Sequence, residues 1–391
     1  MTILQDFLKD LAELVNIDAG TRNAAGVTKA AEIMKRHYES IGFHAELVDL
    51  SPDCGKALLA TNRPGADHYD IMLNAHLDTV FPDGTAAARP FRFDDVKAYG
   101  PGCLDCKAGV LSIFYGIKTA RKEDIDRLSI LVCCNPDEEL ISPWSSEWLL
   151  AQGKKADRVL ICEPARANGA LVRSRKGSAL YTVTFHGLSA HAGNNPQEGH
   201  NANIALVRFI SEIYQYNDFE RGTTVNPGII EGGKIVNAIP DLARVEIDTR
   251  FWKDEDGRWL DQKIQEAAKK VWVEGVTCEL KRNSFLPAMP LSEATKGLVG
   301  IVNQAAEKAG FTAEWVDAAA RMVTTSRKAG FPLWMAAVLP DRDYTPSANI
   351  CSLIRSKSAS ACRRMFTRRS DRNNFCITGF NFLFEIMRNF L

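Results

Sequence analysis

The run IMLNAHLDTV (71–80) is an apolar segment that leads directly into an imidazole and a carboxylate, His76 and Asp78. Residues two apart in a strand point to the same face, so both side chains can reach one site. The later apolar runs LSILVCC and RVLIC also lead into acids, at 137–139 and at Glu163. Because these runs alternate with helical segments, we expect an α/β fold with a mostly parallel sheet. Parallel strands present their carboxyl ends at one edge, where open sheets bind ligands, so the pattern predicts a metal site there.

Each of these signals also has an ordinary structural explanation. An isolated H-x-D is more often a surface turn, and acids in loops are commonly solvated. Asp105, in GPGCLDCKAG just before a helix, could be a helix cap. The coincidence of all the acids at one sheet edge favours the metal hypothesis. Adjacent acids such as Glu138 and Glu139 could then divide the work, one binding metal and the other taking a proton from the attacking water.

The order of segments predicts two domains. The chain has 391 residues, more than one ordinary core accommodates. Residues 1–175 are predicted to form the first part of a catalytic domain. Residues 176–285 follow a β-α-β-β-α-β order, which is typical of a ferredoxin-like α+β unit and predicts an inserted domain; the family resemblance described below implies that it is a lid or dimerisation domain. Residues 286–391 would complete the catalytic domain, with an aberrant tail over 319–391.

The composition excludes some classes of function. A formal net charge of zero does not favour nucleic acid or an anionic membrane as a partner. No apolar run is long enough to span a bilayer, and acids interrupt the first helix, so it does not resemble a signal peptide. The ten cysteines are scattered, which is typical of free thiols in a reducing compartment. We therefore predict a cytoplasmic protein with a small-molecule substrate.

Three residues of the inserted segment are candidates to contact substrate. His191 lies in HGLSAHAGNNPQEG, Asn237 in GGKIVNAIP and Arg282 in ELKRNSF. An arginine suits a substrate carboxylate because its guanidinium forms forked hydrogen bonds. The alternatives are a loop histidine, a turn asparagine and a surface charge.

Seven motifs taken in order resemble one known family. They are IDAGTRNAAGV, NAHLDTVFPDG, PFRFDDVKAYGPGCLDCKAG, NPDEE, CEPA, RKGSALYTVTFHGLSAHAGNNPQEGHNA and NAIPDLARVEIDTRF. Over residues 1–318 the chain resembles the metallopeptidase family of glutamate carboxypeptidase, acetylornithine deacetylase and succinyl-diaminopimelate desuccinylase. The PFRFDDVKAYGPG stretch is most similar to the glutamate carboxypeptidase branch. Cys106 and Ala108 depart from the acid or Met and the Gly that are usual beside the central Asp.

The resemblance implies hydrolysis of an amide or peptide bond, either by a carboxypeptidase that releases a C-terminal amino acid such as glutamate or by an N-acyl amino acid deacylase. It implies two Zn2+ ions, with Co2+ or Mn2+ as alternatives, and a homodimer formed through the inserted domain. The implied roles are these: His76 and Glu163 hold one zinc, Asp105 bridges, Glu139 holds the other zinc, Glu138 is the general base, Asp78 orients His76, and His191 reaches a partner's active site.

The resemblance ends near residue 319. The family expects a further histidine ligand near the C-terminus, whereas all seven histidines here lie at or before His200. From Arg321 onward the chain has 12 Lys and Arg against 4 acids. Back-translating 332–351 and reading two nucleotides later permits a string that resembles the family's L-D-G…G-L-H-S…E-Y segment, which suggests a frameshift. The alternative is a diverged tail that binds an acidic partner.

The lost ligand has a predicted consequence. Without the histidine, the second zinc has only carboxylates and water as ligands, so its affinity should fall. We therefore expect the chain as written to be poorly active or inactive. The alternative function is a catalytically inactive dimeric descendant that binds a small molecule or a metal.

Overall fold

The computed structural model describes residues 2–94, 98–164, 170–310 and 312–318, and the backbone of 336–338. The chain divides into two compact units. The first comprises Met1–Arg173 and Leu291–Leu391, and the second comprises Ser174–Pro290. The sequence predicted the inserted segment over 176–285.

The elements follow in chain order. The helices are α1 (Ile3–Val15), α2 (Ala24–Ser40), α3 (Thr85–Ala88), α4 (Ala108–Lys118), α5 (Lys122–Arg127), α6 (Ser146–Gly153), α7 (Ala202–Ile213), α8 (Asp254–Ala268) and α9 (Glu293–Lys308). The strands are β1 (His44–Val48), β2 (Ala57–Thr61), β3 (Ile71–His76), β4 (Arg92–Phe93), β5 (Ala98–Tyr99), β6 (Ile130–Asn135), β7 (Val159–Ile161), β8 (Leu171–Arg175), β9 (Gly177–His186), β10 (Thr224–Gly232), β11 (Leu242–Phe251), β12 (Thr277–Leu286), β13 (Trp315–Ala318) and β14 (Ala336–Val338).

The main sheet of the first unit has the strand order β1-β2-β6-β3-β7-β14. Its central strands β6, β3 and β7 are parallel, as the sequence predicted. The expectation of a mostly parallel sheet is wrong at the flanks, where β1–β2, β2–β6 and β14–β7 pair antiparallel. No crossover helix separates β1 from β2, so those two strands pair as a hairpin, which runs antiparallel. The α/β fold class itself is confirmed.

The helices of the first unit form because their sequences place apolar residues at helical spacing. In α1 the buried residues are Phe7, Leu11, Leu14 and Val15, which lie on one face. Thr2 caps this helix in a capping box with Gln5. Helix α4 is buried on every side from its first residue to Ile117, as expected for an apolar helix in the centre of a core. Its central position fixes the segment that precedes it, which carries Asp105.

The tail predicted to be aberrant, 319–391, lies almost wholly outside the described residues. The backbone of β14 is the exception, with Ala336 paired to Ile161 and Val338 to Val159. The proposed frameshift therefore stays a prediction. None of the helices in the described ranges has the length and apolarity needed to cross a membrane.

The second unit is a four-stranded antiparallel sheet with the order β10-β11-β9-β12. Buried residues alternate along β9 and β11, as expected where one face of a sheet is covered. Helices α7 and α8 supply the other half of this core, with Phe209 and Leu260 fully buried. The β-α-β-β-α-β order and this strand order give the predicted ferredoxin-like arrangement.

Candidate metal centre

The central parallel strands bring the predicted ligands to one edge of the sheet. His76 ends β3 and pairs with Asn135 at the end of β6. On the other side Asn74 of β3 pairs with Ile161 of β7, two residues before Glu163. Because the three strands run in the same direction, the residues after each of them emerge side by side. Residues 137–139 therefore lie beside His76 and Glu163.

Four side chains converge closely enough to hold a metal ion. One ligand atom from each of His76, Asp105, Cys106 and Glu163 lies within 4.8 Å of the others. The His76 Nε2 atom is 3.0 Å from Asp105 Oδ1 and 3.5 Å from Glu163 Oε1. His76 is 0% exposed and Glu163 is 4% exposed, whereas the Asp105 side chain is 26% exposed, so only one side of the group is open to water. An imidazole and carboxylates at this spacing suit a divalent cation such as zinc.

The turn that carries Asp105 is shaped by close approaches. Gly102 has φ +68°, a backbone conformation that side chains rarely adopt. The Asp105–Cys106 peptide bond is cis. A Cβ atom at Gly109 would lie 2.1 Å from the Cys162 carbonyl oxygen, so only glycine lets the start of α4 pack against the end of β7. That approach sets Asp105 beside Glu163.

Asp78 links the histidine to the neighbouring acidic segment. It is 0% exposed, and His76 Nδ1 lies 3.2 Å from its Oδ1 and 3.0 Å from its backbone oxygen. The backbone N–H groups of Glu138 and Glu139 donate to Oδ1 and Oδ2, each at 3.1 Å, and the Thr21 hydroxyl donates to Oδ2 at 2.6 Å. Asp78 therefore orients the imidazole and fixes the backbone of both glutamates.

The three adjacent acids have different surroundings. The Asp137 carboxylate turns away into a buried turn, where it accepts the N–H groups of Trp144 and Ser145 at 2.8 and 3.0 Å and the Ser145 hydroxyl. Glu138 and Glu139 are half-buried. Of the three, Asp137 stabilises a local turn, which leaves Glu138 and Glu139 as the candidates for metal binding and proton transfer. The side chain of Glu139 is not part of the four-residue group.

The pKa shifts at the site favour the binding of a cation. Burial, followed by the charge of Glu163, raises the pKa of Glu138 well above its usual value. Burial raises the pKa of Glu139 to about 7, with further contributions from Asp105 and Asp78 that His76 partly opposes. Burial alone would lower the pKa of His76, but Glu163 and its other neighbours raise it well above normal. Crowded acids of this kind ionise fully only when a cation joins them, so the donor set fits a metal.

The three predicted substrate residues lie in the second unit. Residues 190–192 pair with 237–239 through Ile239 N–H to the Ala190 oxygen and Ala192 N–H to the Asn237 oxygen, at 2.9 and 3.0 Å. His191 and Asn237 are thus brought together, and both are exposed.

Two backbone N–H groups, from Gly193 and Asn194, donate to His191 Nδ1 at 3.1 Å. They leave Nε2 as the nitrogen that carries the proton. Arg282 has a different setting, because it pairs with Asp261 at 2.7 Å and lies over the Phe285 ring. Its charge is therefore partly compensated within its own unit.

Sequence reasoning did not assign a role to several residues at this site. Thr21 was quoted only within a motif, and nothing in its own pattern indicated the hydrogen bond to Asp78. Cys106 was noted only as a departure from the family, whereas the structure places its sulfur in the ligand group. Gly109 was not singled out, since a close backbone approach leaves no periodic signal.

Comparisons with known proteins agree with this geometry. Residues 173–276 match the M20 peptidase dimerisation domain. The chain is 29% identical over 297 residues to carboxypeptidase G2 of Pseudomonas sp. (strain RS-16), covering 75% of this chain and 71% of that protein. It is 28% identical over 281 residues to succinyl-diaminopimelate desuccinylase of Corynebacterium glutamicum, covering 66% and 71%. The structure of the aminopeptidase PepT from Bacillus cereus superposes with a TM-score of 0.69 at 18% identity, over 100% of this chain and 99% of that one. The predicted family resemblance is confirmed.

Proposed function

We propose that this homologue of the M20 metallopeptidases and deacylases hydrolyses an amide or peptide bond, either as a carboxypeptidase that releases a C-terminal amino acid such as glutamate or as an N-acyl amino acid deacylase. The observation that supports it is the convergence of His76, Asp105 and Glu163 beside two half-buried glutamates. Carboxypeptidase G2 and succinyl-diaminopimelate desuccinylase are relatives by sequence. Both names describe cleavage of an amide-type bond.

Two divalent cations, which we propose to be zinc, suit the donor set. His76 and Glu163 would hold one, Glu139 would hold the second, and Asp105 would lie between them. Bound there, such ions polarise a substrate carbonyl and lower the pKa of water. One ligand atom from each of His76, Asp105 and Glu163 already lies within 4.8 Å of the others, so these side chains need only small movements to bind one ion.

Glu138 is the proposed general base. Burial, followed by the charge of Glu163, raises its pKa, which makes its carboxylate a stronger proton acceptor, and its backbone is fixed by the hydrogen bond to Asp78. It would take a proton from the attacking water and deliver it to the nitrogen of the leaving amine, which breaks the C–N bond. Asp78 would act through His76 by fixing the orientation of its ring.

His191 and Asn237 are the proposed contacts to the substrate. The two backbone donors on His191 Nδ1 leave Nε2–H to donate, in the active site of a partner subunit, to a carbonyl oxygen that gains negative charge. The backbone oxygen of Asn237 accepts the N–H of Ala192, next to this histidine. The side-chain amide of Asn237 would bind the same substrate. Arg282 stays a candidate for a substrate carboxylate, though Asp261 already engages it.

A homodimer through the second unit is part of this proposal. Strand β10 is an edge strand that carries Ile229 and Ile230, 53% and 58% exposed. On α7, Ile204 and Val207 are one turn apart and 44% and 57% exposed. An apolar edge of this kind needs covering. Replacing Ile230 by aspartate should shift the chain from dimer to monomer in light scattering, and a monomeric wild-type chain would contradict the dimer.

The cellular compartment is also proposed. The seven cysteines in the described part of the chain are all free thiols. Free thiols, most of them buried, are typical of a reducing compartment, which supports the cytoplasm.

The decisive experiment combines metal analysis with a hydrolysis screen. The chain is loaded with zinc and tested on peptides ending in glutamate and on N-acyl amino acids. We expect Glu138→Gln to lower kcat by about 10²–10⁴-fold while its metal content stays at the wild-type value. Turnover in Glu138→Gln equal to that of the wild type would remove Glu138 from its role.

One observation favours a second function. The sequence has no histidine after His200, so the second ion would lack an imidazole ligand. A catalytically inactive, dimeric metal- or small-molecule-binding protein would then result. Zero or one equivalent of zinc with no turnover would support this alternative, whereas two equivalents with turnover would support hydrolysis.

A further inference from the structure

We propose that Cys106 is a fourth protein ligand of the metal site, so that its thiolate joins the imidazole of His76 and the carboxylates of Asp105 and Glu163. This inference rests on the proposed function only in requiring a divalent ion at His76. It does not require that the chain turn over a substrate.

The distances between the candidate ligand atoms suit a single shared ion. With zinc–ligand bonds of about 2.0–2.3 Å, neighbouring ligand atoms around one ion lie about 3–4 Å from one another. The His76 Nε2 atom is 3.0 Å from Asp105 Oδ1 and 3.5 Å from Glu163 Oε1. The Cys106 sulfur completes a group in which every pair of ligand atoms is within 4.8 Å. Adjustments of about 1 Å or less would bring all four atoms onto one ion.

The surrounding atoms confine the Cys106 thiol, while burial, followed by the charge of Glu163, raises its pKa, so a bound ion would have to displace the thiol proton. Cys106 is 0% exposed, and its sulfur lies 2.9 Å from the Cys162 carbonyl oxygen, to which the S–H donates. A Cβ atom at Gly109 would be 2.7 Å from the sulfur, so the start of α4 confines it on that side. When an ion binds, the thiol proton leaves to solvent and the sulfur forms a bond to the metal, as metal binding to cysteine generally requires.

The types of donor around the ion also support ligation by Cys106. With Asp105 and Glu163, a thiolate gives three negative donors and one neutral imidazole. A thiolate is a soft ligand, so it favours zinc, cobalt and cadmium over magnesium, calcium and manganese. It also supplies a donor other than carboxylate in a chain whose last histidine is His200. The site is therefore expected to select soft divalent ions.

The test uses the full-length chain loaded with one equivalent of Co2+ or Zn2+. A cobalt–thiolate bond absorbs in the near ultraviolet, and X-ray absorption at the zinc edge would show sulfur at about 2.3 Å. Cys106→Ser removes the thiol, and Cys103→Ser is the matched control because Cys103 lies in the same turn but outside the ligand group. Circular dichroism checks that both variants fold.

The expected result is a thiolate band and a zinc–sulfur signal in the wild type and in Cys103→Ser. Cys106→Ser should lose both and bind the ion at least about tenfold more weakly. The zinc-edge measurement on the unaltered chain decides the matter even if Cys106→Ser does not fold. Zinc bound with nitrogen and oxygen neighbours alone, or a thiolate band that persists in Cys106→Ser, would overturn the proposal. Hydrolysis without a sulfur signal would sink this inference and leave the proposed function standing, and a sulfur signal without hydrolysis would do the reverse.

Discussion

Replacing Asp78 by asparagine tests how the site is held together. Each carboxylate oxygen of Asp78 accepts one backbone N–H, that of Glu138 at Oδ1 and that of Glu139 at Oδ2. An asparagine must place its NH2 group against one of them. The less costly orientation puts the NH2 group at the position of Oδ2. There the Thr21 hydroxyl can rotate and accept a hydrogen bond from it, and the amide oxygen stays at the position of Oδ1, beside His76 Nδ1. The Glu139 N–H is then the group that loses its acceptor.

The size of the effect follows from this count. One hydrogen bond to a charged acceptor contributes about 1.5–3 kcal/mol, so Asp78→Asn should lower the free energy of unfolding by about 2–3 kcal/mol. The backbone of Glu139, the proposed ligand of the second ion, is released. Affinity for that ion should therefore fall about 10–100-fold. Affinity for the ion at His76 should change little, because the backbone oxygen of Asp78 still lies 3.0 Å from Nδ1.

The chain offers a matched control in Asp137→Asn. Both N–H donors to Asp137 come to Oδ2, and Oδ1 accepts only the Ser145 hydroxyl, which can reverse its role. This variant should lose about 1 kcal/mol or less and keep both metal affinities. Urea unfolding of the metal-free chain gives the stabilities, and competition with a chromophoric chelator gives the affinities. Equal losses in the two variants, or wild-type binding of both ions by Asp78→Asn, would refute the reasoning.

Three further predictions follow from the same structure. Gly109→Ala places a Cβ 2.1 Å from a backbone oxygen, so it should destabilise the chain by about 1–3 kcal/mol and weaken zinc binding. Gly297→Ala on the open face of α9 should instead stabilise the chain by up to about 1 kcal/mol. A stabilising Gly109→Ala or a clearly destabilising Gly297→Ala in urea unfolding would contradict this reasoning. Burial raises the pKa of the Cys134 thiol to about 12, above its unfolded value near 9, so the unfolded state loses its proton first and stability falls as pH rises above 9. From pH 8 to 10 the free energy of unfolding of the wild type should therefore fall by about 1.4 kcal/mol more than that of Cys134→Val. Parallel plots of unfolding free energy against pH would contradict the assignment. Sequencing the gene across codons 315–391 should reveal a shifted frame, and a continuous frame that encodes the chain as written would end that hypothesis.

Much of the fold could be predicted from periodicity. Strands β3 and β6 are buried throughout and were located within a few residues, because burial on both faces leaves a mostly apolar run. The second unit could be predicted from its order of elements. The antiparallel flanks of the main sheet could not, since strand direction depends on which strands become neighbours and the sequence does not state this.

The candidate site divides in a similar way. The ends of parallel strands indicated His76 and Glu163, because ligands at the carboxyl ends of such strands converge. Asp105 was indicated by its glycine-rich turn before a helix, and the structure places it beside them. The residue pattern alone did not distinguish the acids at 137–139, and only the family resemblance assigned roles to Glu138 and Glu139. Adjacent residues differ in side-chain direction through local backbone angles, and these are set by contacts such as those of Asp137 with Ser145.

The sequence by itself determined the α/β fold class, the inserted unit and the set of acids and the imidazole near the metal site, since these depend on the order and type of residues along the chain. The tertiary structure alone decided that Asp78 fixes both glutamates, that Asp137 supports a turn and that the Cys106 sulfur lies among the candidate ligand atoms. The Asp137 turn is a local contact with Ser145. The other two results depend on distances between residues far apart in the chain. Such distances arise only when helix α4 and the central strands pack together.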